Sequence, residues 1–277
     1  MVIATYSRPK ELETSLQAIS RLVYPKDQFE VIVVDDGSPD PLDGVVNSFA
    51  ECLSIRVIRQ PNAGCGPARN TGARNAIGRY IAFTDDDCVH SSDWLTRLAN
   101  HFEKYPGAMI GGLPVNALRS NPFSAATQLL MDYLLFSANA VPASARYLNN
   151  FALPRADFLA MGGFDDTFAM SAEDRDLCDR WVVQGKQIVF APEIRIDHAH
   201  QLNWRTFWRQ HLGYGRGAFY HRRKGLAPPE SLGFYLRLLY FPFTREALGP
   251  AVRSCFLIGV AQLATAVGLF QEWNRCR

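Results

Sequence analysis

Over the first 112 residues, short and nearly all-apolar runs alternate with segments whose apolar residues recur every three to four positions. Residues 2–5, 29–34, 55–58, 80–84 and 108–112 are strand-length runs bounded by polar or glycine-containing sequence. The run at 29–34 is apolar at almost every position, as a strand covered on both faces requires. Between these runs, Pro9 opens a helical pattern carried by Leu12, Leu16, Ile19 and Val23. A second helical stretch covers residues 66–77, and Ser91-Ser92-Asp93 caps a third that runs to Lys104. This rhythm predicts an α/β domain with a mainly parallel, doubly wound twisted sheet flanked by helices.

After residue 112 the pattern loosens. A helix is predicted over 123–138, an extended segment over 149–153, a helix over 172–183, and strands over 187–190 and 194–196. Residues 1–112 and 113–200 therefore read as two halves of one domain, with 201–277 as a helical extension. The boundary falls at 201–225, where Arg222-Arg223-Lys224-Gly225 and then Pro228-Pro229 interrupt the pattern. The extension interleaves aromatic residues such as Trp204, Phe207, Trp208 and Tyr214 with Arg205, Arg209, Arg216 and Arg223. Rings beside cations suit a membrane interface. Residues 254–271 then run 18 positions without a formal charge, just long enough to span a bilayer. Gln262, Thr265, Gly259, Gly268 and the adjacent Arg253 weaken that reading. A buried helix or a homodimer contact fits as well, and peripheral attachment to the cytoplasmic face of a membrane is the reading adopted.

Composition narrows the class without naming a function. The chain is 48% hydrophobic and 20% charged with a formal net charge of +2, which gives no ground for a nucleic-acid partner. Its six cysteines are scattered with no C-x-x-C pair, a pattern of a reducing cytosol rather than a disulfide framework. The opening residues show no signal-peptide pattern.

The chemistry gathers at strand ends, where open α/β sheets bind ligands. Thr5-Tyr6-Ser7-Arg8 follows the first strand, Asp35-Asp36-Gly37-Ser38 the second, and Asp85-Asp86-Asp87 the fourth. Alternate side chains of a strand share a face, so Asp85 and Asp87 can converge while Asp86 looks elsewhere. A hard divalent cation suits such a pair, because it takes one or two carboxylates and fills its other positions with water and phosphate oxygens. Three such strand ends together point to a nucleotide or phosphorylated ligand with a metal.

In order along the chain come Thr5-Tyr6-Ser7-Arg8, Val33-Val34-Asp35-Asp36-Gly37-Ser38, Asn62-x-Gly64 with Ala68-Arg69-Asn70-x-Gly72, and the aspartate triplet. Gly162-Gly163-Phe164-Asp165 and Glu173-Asp174-x-Asp176-Leu177 complete the series. In this order the motifs resemble those of the family-2 glycosyltransferases of the GT-A fold, over roughly residues 2–200. The first strand departs from that pattern in being short, with only Met1 to Ala4 before the threonine.

The resemblance implies an inverting transfer of a sugar from a nucleotide diphosphate, UDP by default with guanosine and thymidine open, to a glycan or lipid-linked acceptor. It implies that residues 1–112 hold the nucleotide sugar and 113–200 the acceptor. Asp36 would accept a hydrogen bond from the nucleobase, Tyr6 would flank it, and Asp35 would support the pocket with Thr5 and Arg8. Arg69 would touch the diphosphate, while Asn62, Gly64 and Asn70 shape the loop. Asp87 would ligate Mg²⁺ or Mn²⁺ directly, and Asp85 would meet the ribose or a metal-bound water. Asp86 could replace either, and His198, with His200 two residues on, would complete the metal site. Asp174, beside Glu173, would be the general base, and Arg155, Asn150, Gly162 and Gly163 would line the donor or acceptor pocket. Two other readings stay open. A nucleotidyltransferase would also use such a pocket, although the usual glycine-rich, lysine-containing opening is missing. A silent nucleotide-sugar-binding or membrane scaffold would have no use for the carboxylates.

Overall fold

The computed structural model describes residues 1–139, 148, 150–168, 171–225 and 230–277. The predicted positions Asn149 and Pro228-Pro229 lie outside them. By contacts the chain divides into two units. The first comprises Met1–Val115, Val141–Ala169 and Asp174–His198, and the second Asn116–Ala140, Met170–Glu173 and Ala199–Arg277.

In the first unit, β1 (Val2–Thr5), α1 (Pro9–Ser20), β2 (Val31–Asp35), the short α2 (Asp43–Asn47), β3 (Ile55–Arg59), α3 (Cys65–Asn75) and β4 (Tyr80–Asp85) follow in order. Then come β5 (Cys88–His90), α4 (Trp94–Lys104), β6 (Met109–Asn116), β7 (Phe151–Pro154), α6 (Arg155–Ala160), α7 (Glu173–Val183) and β8 (Ile188–His198), with α5 (Pro122–Ala138) intervening before β7. The eight strands form one sheet in the order β3-β2-β1-β4-β7-β6-β8-β5. Parallel pairing holds across β3-β2-β1-β4, while β4 with β7, β7 with β6, and β5 with β8 pair antiparallel.

The apolar runs sort by parity onto two faces. Ile3, Val31, Val33 and Ala82 join one buried cluster with Leu12, Leu16 and Trp94. Val2, Ile32, Val34, Ile81 and Phe83 join the other with Ala68, Phe158 and Trp181. Covering on both faces explains why these strands read as continuous hydrophobic runs.

Several boundaries differ from expectation. Val23 and Ile77 lie past the ends of α1 and α3 and are exposed. Asp93 occupies the N-cap position of α4 but makes no capping bond. Its carboxylate instead accepts from Arg97 Nε at 2.6 Å one turn on. The two strands predicted at 187–190 and 194–196 are one strand, β8, with Pro192 and Glu193 exposed.

The second unit holds α5 together with α8 (Trp204–Arg223), α9 (Leu232–Tyr240), a 3₁₀ turn (Phe241–Thr244) and α10 (Leu248–Arg275). Leu129, Leu130 and Tyr133 of α5 share a core with Phe207, Leu238, Leu257, Ile258 and Ala261. Part of the aromatic complement is therefore internal: Phe207 and Phe219 are buried, and Tyr133 packs against Phe234 and Phe241.

Two buried histidines weaken the fold in acid. His90 in β5 and His211 in α8 are held neutral by burial, with pKa values lowered to about 3 and about 4, His200 adding to the second. Unfolding lets each take up a proton near its ordinary value of about 6.5. The unfolded chain thus binds more protons below that pH, and stability is lost as pH falls from 6.5 towards 4. For His211 alone the lowering corresponds to roughly 3 kcal/mol. Thermal melting should fall across this window, and His211→Phe should flatten part of the slope. A variant with an unchanged slope would remove His211 from the account.

Candidate active site

Thr5 lies opposite Asp35, and Ala4 opposite Asp85, so parallel β1, β2 and β4 present their C-terminal ends along one edge. Asp85 ends β4 on the face of Ile81 and Phe83, while Asp86 and Asp87 form the turn into β5 and both meet the Arg8 guanidinium. Asp86 is drawn back under β1, where Thr5 Oγ1 donates to it at 2.8 Å and Arg8 Nη1 at 2.6 Å. Burial pushes its carboxyl up to about 6, against the pull of Arg8 and Thr5.

Asp87 is held from two sides. Arg8 Nη2 donates to Oδ2 at 3.0 Å, and His198 Nε2 lies 2.9 Å from Oδ1. Strand pairing explains the second contact, because β5 follows the triplet directly and sets Cys88 opposite His198 of β8. Burial works against a charge on His198, but the hydrogen bond to Asp87 and the charges of Asp87 and Asp85 outweigh it and raise its pKa. Asp85 accepts from Arg69 Nη2 at 2.5 Å. The carboxylates are thus balanced by Arg8, Arg69 and the imidazole. His200 belongs to the second unit, where its carbonyl accepts from Ser124 Oγ.

Donor atoms of Asp85, Asp87, Cys88 and His198 all lie within 4.8 Å of one another. Two carboxylates and an imidazole suit Mg²⁺ or Mn²⁺. Cys88 does not fit that set. Burial, with Asp85 and Asp87 beside it, pushes its thiol well above the usual range and keeps it protonated. Of the predicted ligands, the structure gathers Asp85, Asp87 and His198 and draws Asp86 aside.

At the end of β2 the buried carboxylates organise two turns. Asp35 Oδ1 accepts from the Ser38 N–H at 2.9 Å, and Ser38 Oγ accepts from the Ser7 N–H at 2.9 Å. That bond holds Ser7 at φ 54° and leaves the neighbouring Tyr6 half-exposed at 48%. Asp36 accepts from Gln60 Nε2 at 2.7 Å and from the backbone N–H groups of Ala63 and Gly64, the latter at 2.8 Å. Asn62 Nδ2 donates to the Asp36 carbonyl. Asp36 therefore shapes the loop leading into α3. Gln60 carries this work without a motif of its own to mark it.

Residues 1–173 match the family model described as "Glycosyl transferase family 2". The chain belongs to this family. Among its relatives is the probable glycosyltransferase YdaM of Bacillus subtilis (strain 168), 28% identical, with 88% of this chain and 61% of the relative covered. The pre-mycofactocin glycosyltransferase of Mycobacterium tuberculosis (strain CDC 1551 / Oshkosh) is also 28% identical, over 75% of this chain and 45% of the relative. The chain thus spans less than two thirds of the length of these two relatives. Among solved structures, the mannosyltransferase PcManGT from Pyrobaculum calidifontis, in complex with GDP-Man and Mn²⁺, superposes with a TM-score of 0.72 at 17% identity. It covers 98% of this chain, which covers 86% of it. S. aureus TarS 1-349 in complex with UDP-GlcNAc gives 0.61 at 18% identity, over 95% and 80% of the two chains. These likenesses establish a shared glycosyltransferase fold.

The remaining family-2 motif residues fall into two groups. Asn70 clamps the glycine loop: its Oδ1 accepts from the Phe164 N–H at 2.8 Å, and its Nδ2 donates to the Phe164 carbonyl at 2.8 Å. Gly163 makes that approach possible, since its φ is 75° and a Cβ there would stand 2.3 Å from Asn70 Oδ1. The ring of Phe164 underlies the Arg69 guanidinium at 5.6 Å, and so a chain of contacts runs from Asn70 through Phe164 and Arg69 to Asp85. Gly162 and Gly163 position this support. Asn70→Ala should lower stability by about 1–3 kcal/mol, the cost of losing buried hydrogen bonds. A urea melt would show it, and a loss under 0.5 kcal/mol would mean that the loop docks without the clamp.

Arg155, expected in the donor or acceptor pocket, lies away from the aspartates. Its N–H donates to the Arg79 carbonyl and its Nε to that of Ala73. Pro154 pairs with Tyr80 at the start of β4, five residues and about 16 Å of strand from Asp85. Asn150 is at the other end of that pair, buried, with neither side-chain polar atom hydrogen-bonded among the described residues. Asp174 stands in the first turn of α7, half-buried, accepting from the Arg175 N–H at 2.7 Å. Ala172 just before this helix has φ 72°, a conformation costly for a residue with a Cβ.

Proposed function

We propose that the protein is an inverting glycosyltransferase that moves a sugar from a nucleotide diphosphate to a hydroxyl of a glycan or lipid-linked acceptor. The observation carrying this reading is the convergence of Asp85, Asp87 and His198 at the ends of parallel strands, backed by Arg8 and Arg69. Asp87, Asp85 and His198 would hold Mg²⁺ or Mn²⁺. When bound, that ion supplies positive charge against the two phosphates of the leaving group. Arg69, supported by Phe164, would pass from Asp85 to a phosphate oxygen. Tyr6 offers an exposed ring for a nucleobase beside the Asp36-ordered loop, and Asn150 offers a buried amide to the sugar. UDP is the donor nucleotide favoured by the motif resemblance. GDP-mannose and UDP-GlcNAc in the structural relatives keep guanosine in the comparison.

Asp174 takes the acceptor proton, with Glu173 beside it. The acceptor oxygen attacks the anomeric carbon as the bond to the phosphate oxygen breaks. The nucleotide diphosphate leaves with that electron pair, and configuration inverts. We place the reaction on the cytoplasmic face of a membrane, to which the second unit attaches. A panel of nucleotide sugars assayed for hydrolysis and transfer with Mn²⁺, with Mg²⁺ and with chelator tests the proposal. A chelator-sensitive donor-specific activity supports it, and full activity in chelator removes the metal from it.

A further inference from the structure

The two faces of α10 are reversed relative to an ordinary surface helix. Its buried face is mostly small, with Ala251, Ser254, Ala261, Ala264 and Gly268. Its large side chains point outward: Leu248, Val252, Phe256, Leu263, Phe270 and Trp273 are 39–73% exposed. Their spacing of three, four or seven residues puts them on one stripe, which at 28 residues runs about 42 Å. Single exposed apolar residues are normal, but a continuous stripe of this size marks a contact with something apolar.

The buried face is small because the backbone of α8 lies against it. A Cβ on Gly215 would stand 1.9 Å from the Thr265 carbonyl oxygen, and one on Gly268 2.1 Å from that of Leu212. The two helices are therefore locked backbone to backbone. The exposed charges along α10, Arg253 and Arg275, are positive. Its acid, Glu272, is buried and engaged by Arg216, Arg275 and Tyr220. At the end of the stripe Arg277 stacks 3.6 Å over the Trp273 ring, a pairing suited to a headgroup layer.

We infer that the outward stripe of α10 inserts into one leaflet of an anionic membrane, with the helix lying in the plane of the surface. This rests on the proposed membrane attachment and assigns the element that makes it. Crossing the bilayer is disfavoured by α8, which carries Arg205, Arg209, Arg216, Arg222 and Arg223. Locked to α10, it would bring these charges towards hydrocarbon. An in-plane helix leaves α8 on the aqueous side and puts only the apolar stripe into lipid.

The test is flotation of the full chain with vesicles of phosphatidylcholine and phosphatidylglycerol. It compares wild type with Phe256→Ser/Leu263→Ser/Phe270→Ser, whose fold is checked by circular dichroism. Wild type should float and be released by alkaline carbonate, and the triple variant should bind at least about tenfold more weakly. Arg253→Glu, a single exposed change, should reduce the preference for phosphatidylglycerol over pure phosphatidylcholine even if the triple variant fails to fold. No flotation of wild type overturns membrane attachment altogether. Equal flotation of wild type and triple variant leaves attachment standing but overturns the role of α10, and resistance to carbonate overturns the in-plane placement. A soluble wild-type dimer that the triple variant converts to monomer makes a second copy the occupant and overturns the lipid assignment.

Discussion

Asp87→Ala should abolish the rise in melting temperature that Mn²⁺ with a nucleoside diphosphate gives the wild-type protein, and should lower kcat/KM by about a thousandfold or more. The size follows from the charge at stake. Withdrawing a metal's stabilisation of a leaving diphosphate forfeits several kcal/mol of transition-state energy, and each 1.4 kcal/mol is about tenfold in rate. Asp87 is the pivot because, among the described residues, it joins Arg8 through Oδ2 and His198 through Oδ1. Removing it takes one of the two carboxylates from the metal-capable cluster.

Asp86→Asn is the matching control. Asp86 accepts from Thr5 and Arg8 outside the metal-capable cluster, so its neutralisation should perturb Arg8 while the metal-linked melting shift persists. The assignment fails if Asp87→Ala retains that shift, or if Asp86→Asn and Asp87→Ala lose it equally.

The contrast between these neighbours shows how much a sequence discloses. Asp-Asp-Asp is conspicuous at the end of an apolar run, yet its register is ambiguous until β4 is seen paired with β1, Ala4 opposite Asp85. His198 could be singled out only by resemblance, because the strand that carries Cys88 to its partner spans just three residues. Too few positions alternate there to register as a pattern. Two strands were expected where one forms, and Pro192 stands between them, a residue ordinarily excluded from strand interiors. In β8 it is exposed.

Contacts across long stretches of chain were the least legible. Asn70 stands within a motif, but the loop it holds lies 94 residues away, and no local preference encodes that pairing. Arg155 lies away from the aspartates for the converse reason. Its closeness in sequence to the glycine loop suggested closeness to the site, whereas α6 intervenes and leaves it at the opening end of β4. In the second unit the aromatic and basic composition suggested a membrane surface, but several of those rings fill a core. The outward stripe lies instead on α10, and deciding which side of that helix faces out required the packing of α8.

Asp174→Asn should lower kcat by about a hundred- to ten-thousandfold, the usual contribution of a positioned general base, with donor binding and the metal-linked melting shift unchanged. Asparagine keeps the size of the side chain and an oxygen that can still accept from the Arg175 N–H, but it cannot take a proton. A purely structural carboxylate in the first turn of α7 predicts something different. Its replacement would cost a few tenths to about 1 kcal/mol of stability through the helix dipole and leave turnover within a few-fold of wild type. Glu173→Gln separates the two neighbouring acids: if Asp174 is the base, this variant keeps most of the rate. Full transfer by Asp174→Asn together with a collapsed rate in Glu173→Gln would move the base by one residue. Full transfer by both would place it outside this helix. Configuration at the anomeric carbon, read by NMR on the product, closes the argument, because one base acting on one displacement must invert it.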